Sequence, residues 1–250
     1  MGSSSLAEPH VNDGHLRYSY VDVHVTIGNA AKEIKAKFDP DIMMGDEADV
    51  SVNLFSVVLL TFSAIGGGGF FPARVLRTFL KRASGPDGSK RNIPIQAIGL
   101  SLYEEVGAFD GSEGLTSEEK LGKEVIRTQW LDFSTLGNRP LIGRRILIVD
   151  EVDDSRTTLG YAVAELKKDI AQQYERLTPE QKAHFPKTEL AIFVVHNKLK
   201  EKLAELPDDV QYFPGENIED KWVDYPWETE NIELHERLCQ EQKALAAKQA

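Results

Sequence analysis

Cysteine is nearly missing from this chain: Cys239 is the single one in 250 residues, so neither an intrachain disulfide nor a cysteine metal cluster can form. A reducing, cytoplasmic setting suits such a chain. Basic charge is also scarce. Lysine and arginine number 29 against 40 aspartate and glutamate, for a net charge of −11, and that sign repels a phosphate polymer instead of releasing counterions from it. No nucleic-acid partner is expected. No apolar signal core follows Met1, and Leu6 stands where an acylation signal wants a hydroxyl, so residues 1–17 read as a loose tail. The longest uncharged run, Val50 to Ala73, has the length of a membrane span, but the glycines at 66–69 and Pro72 interrupt it, so no membrane association is expected.

What is present is a globular mixture, 41% hydrophobic and 28% charged, enough apolar material for one α/β core at this length. Apolar runs at Ile93–Leu100, Ile146–Val149 and Leu190–Val195 predict buried strands, and Glu124–Phe133 alternates as a strand with one exposed face would. Leu159, Val163, Leu166, Ile170, Tyr174 and Leu177 recur at three- and four-residue intervals, which puts one apolar stripe along a helix. Residues 72–82 and 29–38 predict further helices. Strands alternating with helices predict an α/β fold with a mainly parallel sheet. Ser84 to Arg91 is a turn cluster, and Gly107 to Lys123 is a long polar loop.

The sharpest signal is Arg144-Arg-Ile-Leu-Ile-Val-Asp150-Glu151-Val-Asp-Asp154-Ser155-Arg156-Thr157-Thr158-Leu159. A buried strand ends in an acidic cluster and then opens a helix with hydroxyls. Ligands of parallel sheets sit at the carboxyl ends of strands, where Asp150 and Glu151 emerge. Hydroxyls and free N–H groups at a helix start suit a dianionic phosphate. Carboxylates beside a phosphate cradle describe a site for a sugar phosphate. The plainer alternative is an acidic strand end in which Asp154, Ser155 or Thr157 caps the helix.

This motif resembles that of the type I phosphoribosyltransferases, in which an apolar strand, two acidic residues, two apolar residues, Asp and a Thr/Ser-Gly phosphate loop bind diphosphoribosyl pyrophosphate (PRPP). Two positions depart from it: Asp153 stands where an apolar residue is common, and Arg156 where glycine is common. Both occur in the fungal purine-salvage subgroup, which the chain resembles more specifically. The resemblance implies that Asp150 and Glu151 hold the ribose hydroxyls and possible Mg²⁺ arriving with PRPP, that Asp154 acts catalytically near purine N7, and that Ser155, Arg156, Thr157 and Thr158 bind the 5′-phosphate.

Ile65-Gly66-Gly67-Gly68-Gly69-Phe-Phe-Pro72 lacks both a dinucleotide fingerprint and the Gly-Lys-Ser/Thr of a P-loop. Glycines without a lysine let the backbone approach an anion closely, or simply make a flexible turn from strand to helix. In the resembled family this segment is the pyrophosphate loop, here Gly67, Gly68 and Gly69, with a cis peptide near Gly67–Gly68. Asp220 to Glu228 gathers Trp222, Tyr225, Trp227 and Pro226 into nine residues too irregular for helix or strand. Such a cluster reads as a lid whose aromatics stack on a base, or, chiefly for Tyr225 and Trp227, as a closure of the core. The resemblance implies a purine hood with Trp222 stacking, Val223 offering its main chain and Asp224 meeting the 2-substituent. It also puts Lys198 against purine O6, and Ser101 and Tyr103 in a flexible loop over PRPP.

The resemblance spans about Tyr18 to Glu228, with residues 199–228 as hood and 229–250 as a helical C-terminal tail. Nineteen residues, Gly45 to Ser63, interrupt a central strand just before the glycines, where the family runs straight on. They read as retained intron sequence, the alternative being an extra hairpin or partner-binding segment. The activity implied is Mg²⁺-dependent transfer of phosphoribose from PRPP to N9 of xanthine, guanine or hypoxanthine, by a homodimer. A non-catalytic purine or PRPP sensor is the competing class. Asp154, Lys198 and Trp222 together favour the enzyme, because a sensor need not keep a proton-handling carboxylate.

Overall fold

A computed structural model describes residues 10–40, 42–47, 68–83, 90–103, 124–130 and 141–249. In chain order its elements are β1 (Leu16–Arg17), α1 (Tyr20–Lys37), β2 (Ile42–Glu47), α2 (Phe70–Phe79), β3 (Arg82–Ala83), β4 (Lys90–Arg91), β5 (Ile95–Tyr103), β6 (Glu124–Gln129), β7 (Arg145–Asp153), α3 (Thr157–Glu175), α4 (Pro179–His184), β8 (Glu189–Lys198), β9 (Val210–Ile218), β10 (Val223–Asp224) and α5 (Ile232–Gln249).

Six strands form the main sheet in the order β6-β5-β2-β7-β8-β9. All its pairings are parallel except β5 with β6. The β-branched run of β7 is buried on both faces. Leu147 and Val149 join Ile27, Ile34 and Leu76 of α1 and α2 in one core, while Ile146 and Ile148 join Leu159, Val163 and Leu166 of α3 in the other. The chain leaves β2 towards β5 on one side and β7 towards β8 on the other. The carboxyl ends of β2 and β7 thus frame the switch point where open sheets bind ligands.

Several elements differ from the expectation. Helix α1 starts at Tyr20 rather than 29 because Ser19 and Asp22 form a reciprocal cap: Asp22 N–H donates to Ser19 Oγ at 3.2 Å, and Ser19 N–H donates to Asp22 Oδ2 at 2.9 Å. The valines of its first turns, weak helix formers, hide that start. Helix α2 covers Phe70–Phe79, two residues ahead of the predicted span. The α3 stripe is buried as far as Leu166, but Tyr174 is 44% exposed, since the helix runs out past the sheet.

The tail reading of 1–17 does not hold for its last residues. Leu16 and Arg17 pair with Val223 and Asp224, and Arg17 is buried. The hood accordingly contains a strand, β10, where irregular chain was expected. Lys90 and Arg91 pair with Ala83 and Arg82 in a small antiparallel ribbon, so the predicted turn is shorter than Ser84 to Arg91. Helix α5 is anchored, with Leu238 and Cys239 buried and His235 Nε2 3.0 Å from the Tyr18 carbonyl. Strand β2 runs through Gly45 to Glu47, which pair with Ala97, Ile98 and Gly99 of β5. The first three residues of the suspected insertion therefore lie in the central strand. Residues 48–63 and the loop Gly107–Lys123 lie outside the described residues. No described helix is long and apolar enough to cross a membrane.

Candidate active site

Strand β7 carries its buried run to Val149 and then presents Asp150 and Glu151 at the switch point. Gly68 meets them there. A methyl group placed on Gly68 would stand 1.9 Å from the Glu151 carboxyl carbon, so only glycine lets the chain entering α2 come this close. Two segments more than 80 residues apart in sequence are thus brought together. Gly69 caps α2 without a side-chain bond. Gly67, and with it the peptide expected to be cis, lies outside the described residues.

Burial pushes the Asp150 carboxyl up to about 7, against the N–H of Glu151, which donates to Asp150 Oδ1 at 2.8 Å; the charge of Asp153 adds to the rise. Burial and the neighbouring charges of Glu228 and Asp150 raise Glu151 as well, although Trp227 Nε1–H donates to its Oε2 at 3.1 Å. Crowded, poorly solvated carboxylates of this kind are relieved by donors such as ribose hydroxyls or by a hard cation. The donor set therefore fits Mg²⁺. Asp150 and Glu151 are too few to cage an ion alone, and no cluster of three or more metal-binding side chains occurs among the described residues. Waters and phosphate oxygens would complete the shell.

Beyond β7 the chain turns sharply into α3. The helix N-cap is Arg156, with no side-chain cap bond of its own, and Ser155 Oγ accepts from Thr157 N–H at 3.4 Å, so Ser155 takes a share of the capping part left open by the sequence. Ser155 Oγ and Thr157 Oγ1 lie 3.0 Å apart at the helix start. Thr158 follows in the first turn, where backbone N–H groups have no intrahelical acceptor. Arg156, expected on the phosphate, is turned back. Its Nε and Nη2 reach Asp153 Oδ2 at 2.9 and 2.8 Å.

Asp154 forms the second centre. Its Oδ1 lies 3.0 Å from Lys198 Nζ and 3.1 Å from Lys200 Nζ, and Lys200 also reaches Asp220 at 3.1 Å. Burial pushes the Asp154 carboxyl up, but the two lysines outweigh it and hold it below the usual range. Asp154 and Lys198, each expected at the purine, are in contact. Lys200 was missed there, although the alternation Lys198-x-Lys200-x-Lys202 after a predicted strand is visible in the sequence.

In the hood, Trp222 is 61% exposed, free to take a stacking partner. Leu16 N–H donates to the Trp222 carbonyl and Tyr18 N–H to the Asp224 carbonyl, at 2.8 and 3.5 Å. Strand alternation therefore turns the Val223 carbonyl to the other edge. Asp224 does not join the Asp154 centre: its carboxylate is bound by His15 Nδ1 at 2.9 Å and Arg17 Nη2 at 3.1 Å, which makes it a clamp on β1. Tyr225 and Trp227 close the core, as the plainer reading had it. Phe71, Trp227, Tyr225, His196 and Tyr18 form a column of neighbouring rings with centroid spacings of 4.7, 4.6, 5.6 and 4.0 Å. Tyr225 O–H donates to the Glu151 carbonyl at 3.2 Å, and His196 Nδ1 lies 2.7 Å from the Tyr225 hydroxyl. Ser101 and Tyr103, expected in a flexible loop, instead belong to β5, paired with Ile126 and Glu124 of β6, beyond the Glu47–Gly99 pair and at the same sheet end as the acidic pair.

No family model matches the chain. It is 49% identical over 224 residues to a hypoxanthine-guanine phosphoribosyltransferase of Schizosaccharomyces pombe, covering 88% of this chain and 92% of the relative. Xanthine phosphoribosyltransferase 1 of Saccharomyces cerevisiae is 44% identical over 231 residues, covering 90% and 94%. Among solved structures, a hypothetical protein from Neisseria gonorrhoeae with bound ppGpp is 31% identical with a TM-score of 0.59, covering 91% of this chain and 96% of that one.

Proposed function

The chain belongs to the purine phosphoribosyltransferases and has their type I fold, and from that membership we infer that it transfers phosphoribose from PRPP to N9 of a 6-oxopurine in purine salvage. The products are the nucleoside 5′-monophosphate and pyrophosphate. Asp150 and Glu151 accept from the ribose hydroxyls, Ser155 to Thr158 take the 5′-phosphate, and the backbone at Gly67 to Gly69 takes the pyrophosphate. Asp150 and Glu151 would hold Mg²⁺ arriving with PRPP, and the ion would supply charge neutralisation for the departing pyrophosphate. Bond cleavage leaves positive charge on the ribose, which the two carboxylates stabilise from a fixed position.

Lys198 meets the purine O6, Trp222 covers the base and the Val223 main chain reads its edge. Asp154, kept ionised by Lys198 and Lys200, accepts the proton at N7 as N9 attacks. Assembly as a homodimer and a cytoplasmic location follow from the same family reading. One observation carries the reading: Gly68 and the acidic pair, distant in sequence, converge at the switch point where β7 leads into the start of α3. The test is PRPP-dependent nucleotide formation with xanthine, guanine and hypoxanthine separately. Formation of at least one nucleotide is expected, and failure with all three bases in a folded, PRPP-binding chain would leave a sensor instead.

A further inference from the structure

Arg156 and Asp39 are the two non-glycine residues with positive φ among those described, and Arg156 has φ 68°. Aspartate tolerates this region better than arginine does. What surrounds Arg156 explains how it stays there. Asp153 is 1% exposed, a buried charge that has Lys202 Nζ 3.5 Å from its Oδ1 and depends for the rest on Arg156. Its Oδ2 receives Arg156 Nε at 2.9 Å, Arg156 Nη2 at 2.8 Å and the Tyr212 hydroxyl at 2.7 Å. The guanidinium carbon lies 4.9 Å over the Tyr212 ring. Lys202 Nζ donates to the carbonyls of Asp153 and Asp154 at 2.7 and 2.9 Å, and Leu203 N–H donates to that of Ser155 at 2.9 Å. The turn is thus fastened at three consecutive carbonyls and one buried carboxylate.

We propose that Arg156 is a positioning residue: the Asp153–Arg156–Tyr212 contact locks residue 156 in the left-handed conformation that shapes the 5′-phosphate loop, and its guanidinium does not bind the phosphate. The proposal rests on the reading of Ser155 to Thr158 as the phosphate site. A buried carboxylate holds its guanidinium partner in place, because releasing it costs Oδ2 both of its N–H donors from Arg156 and leaves the charge to Lys202 Nζ, 3.5 Å from Oδ1. Glycine would take the same backbone conformation without a lock.

Steady-state kinetics and thermal unfolding of Arg156→Ala, Tyr212→Phe and the double variant Asp153→Val with Arg156→Gly test this, alongside calorimetric titration with ribose 5-phosphate. Arg156→Ala should raise the KM for PRPP about tenfold, as the loss of a charge-assisted pair implies, and leave the purine KM within about twofold. The double variant lacks guanidinium and carboxylate alike, so it should recover to within about threefold of wild type on the same scale. A double variant that melts like wild type yet binds PRPP as poorly as Arg156→Ala makes the guanidinium a direct phosphate ligand and overturns the lock. An Arg156→Ala enzyme with the wild-type PRPP KM overturns it too. Should the double variant not fold, Tyr212→Phe decides: it keeps the ring, removes the hydroxyl and should weaken PRPP but not purine, and no change in PRPP KM overturns the lock. If wild type makes no nucleotide from any base, the activity reading falls by itself, and the same pattern in ribose 5-phosphate affinity still judges the lock.

Discussion

Gly68 gives way to Glu151: the carboxyl carbon of Glu151 lies 1.9 Å from the point a Gly68 Cβ would occupy. Glu151 is the side that must yield, since its carboxylate ends a flexible side chain held by Trp227, whereas Gly68 leads directly into α2. Gly68→Ala should therefore displace the Glu151 side chain and weaken PRPP by tenfold or more, about 1.4 kcal/mol, while the purine KM changes little. Kinetics for each substrate check this, and a wild-type PRPP KM would show that the glycine is a turn residue only.

The acidic pair should trade stability for binding. Asp150 has its folded pKa raised from 3.8 to about 7. Its contribution to stability is therefore full below pH 3.8 and lost as the pH rises through 7. Asp150→Asn, with no ionisation to oppose, should melt higher than wild type at pH 8 in the absence of ligand, and the gap should close on acidification. The scale for a chain of this size is about 2–4 °C per kcal/mol. Asp150→Asn with Glu151→Gln should also cost several kcal/mol of PRPP binding, at about 1.5–3 kcal/mol for each charge-assisted bond. Unchanged PRPP affinity in that folded double variant would remove the ribose site from Asp150 and Glu151.

Asp154→Asn keeps size and hydrogen bonding but cannot take a proton. Turnover should fall by about 10²–10⁴ with PRPP binding nearly intact. Because Lys198 and Lys200 both lean on this carboxylate, Asp154→Asn also leaves two ammonium groups facing only Asp220. Activity equal to wild type would reduce Asp154 to a partner for those lysines.

Trp222, exposed and without a stacked neighbour closer than His15 at 6.4 Å, can be removed without opening the core. Trp222→Ala should raise the purine KM, with about 1–3 kcal/mol at stake for a stacked base, and leave PRPP affinity and melting temperature nearly unchanged. Equal losses for both substrates would mark a tryptophan that holds the hood together.

The contrast between Trp222 and its neighbours shows what a sequence can disclose. The strand-to-helix motif at Asp150 to Thr158 was legible because its chemistry is local: strand, carboxylates and hydroxyls are contiguous, and β7 and α3 follow from their own patterns. Gly68 was singled out by the glycine run itself, and Lys198 by family resemblance alone. Tyr212, Lys200 and Lys202 reach the site from across the sheet, through pairings fixed only when β8 and β9 dock on β7. The clamp at Asp224 was missed for the same reason. Nothing near residue 224 signals that His15 and Arg17 will come from the other end of the chain to hold it. The Asp153 and Arg156 departures looked like two separate exceptions to a motif, and their mutual contact makes them one.

The last prediction concerns the nineteen residues between Met44 and Ala64. Strand β2 pairs on both sides, with β5 and β7, and Asp46 and Glu47 take register positions beside Ile98 and Gly99. Central parallel strands are ordinarily continuous apolar runs, and two acidic residues following the Gly45–Val149 pair on β2 add like charge to the sheet end where β7 already carries Asp150 and Glu151. Joining Met44 directly to Ala64 would carry Ala64, Ile65 and Gly66 into those same three positions and bring the strand to Gly68 after one further residue. The uncharged stretch Val50 to Ser63 would go with the deletion, removing a segment of the kind that promotes aggregation. Removing Gly45 to Ser63 should therefore raise soluble yield and melting temperature and create or increase purine-dependent PRPP consumption, and the transcript should prove to lack the corresponding codons. If the full-length chain is the more stable and the more active of the two, Gly45 to Glu47 are the native end of β2 and the segment after them is a structural element in its own right.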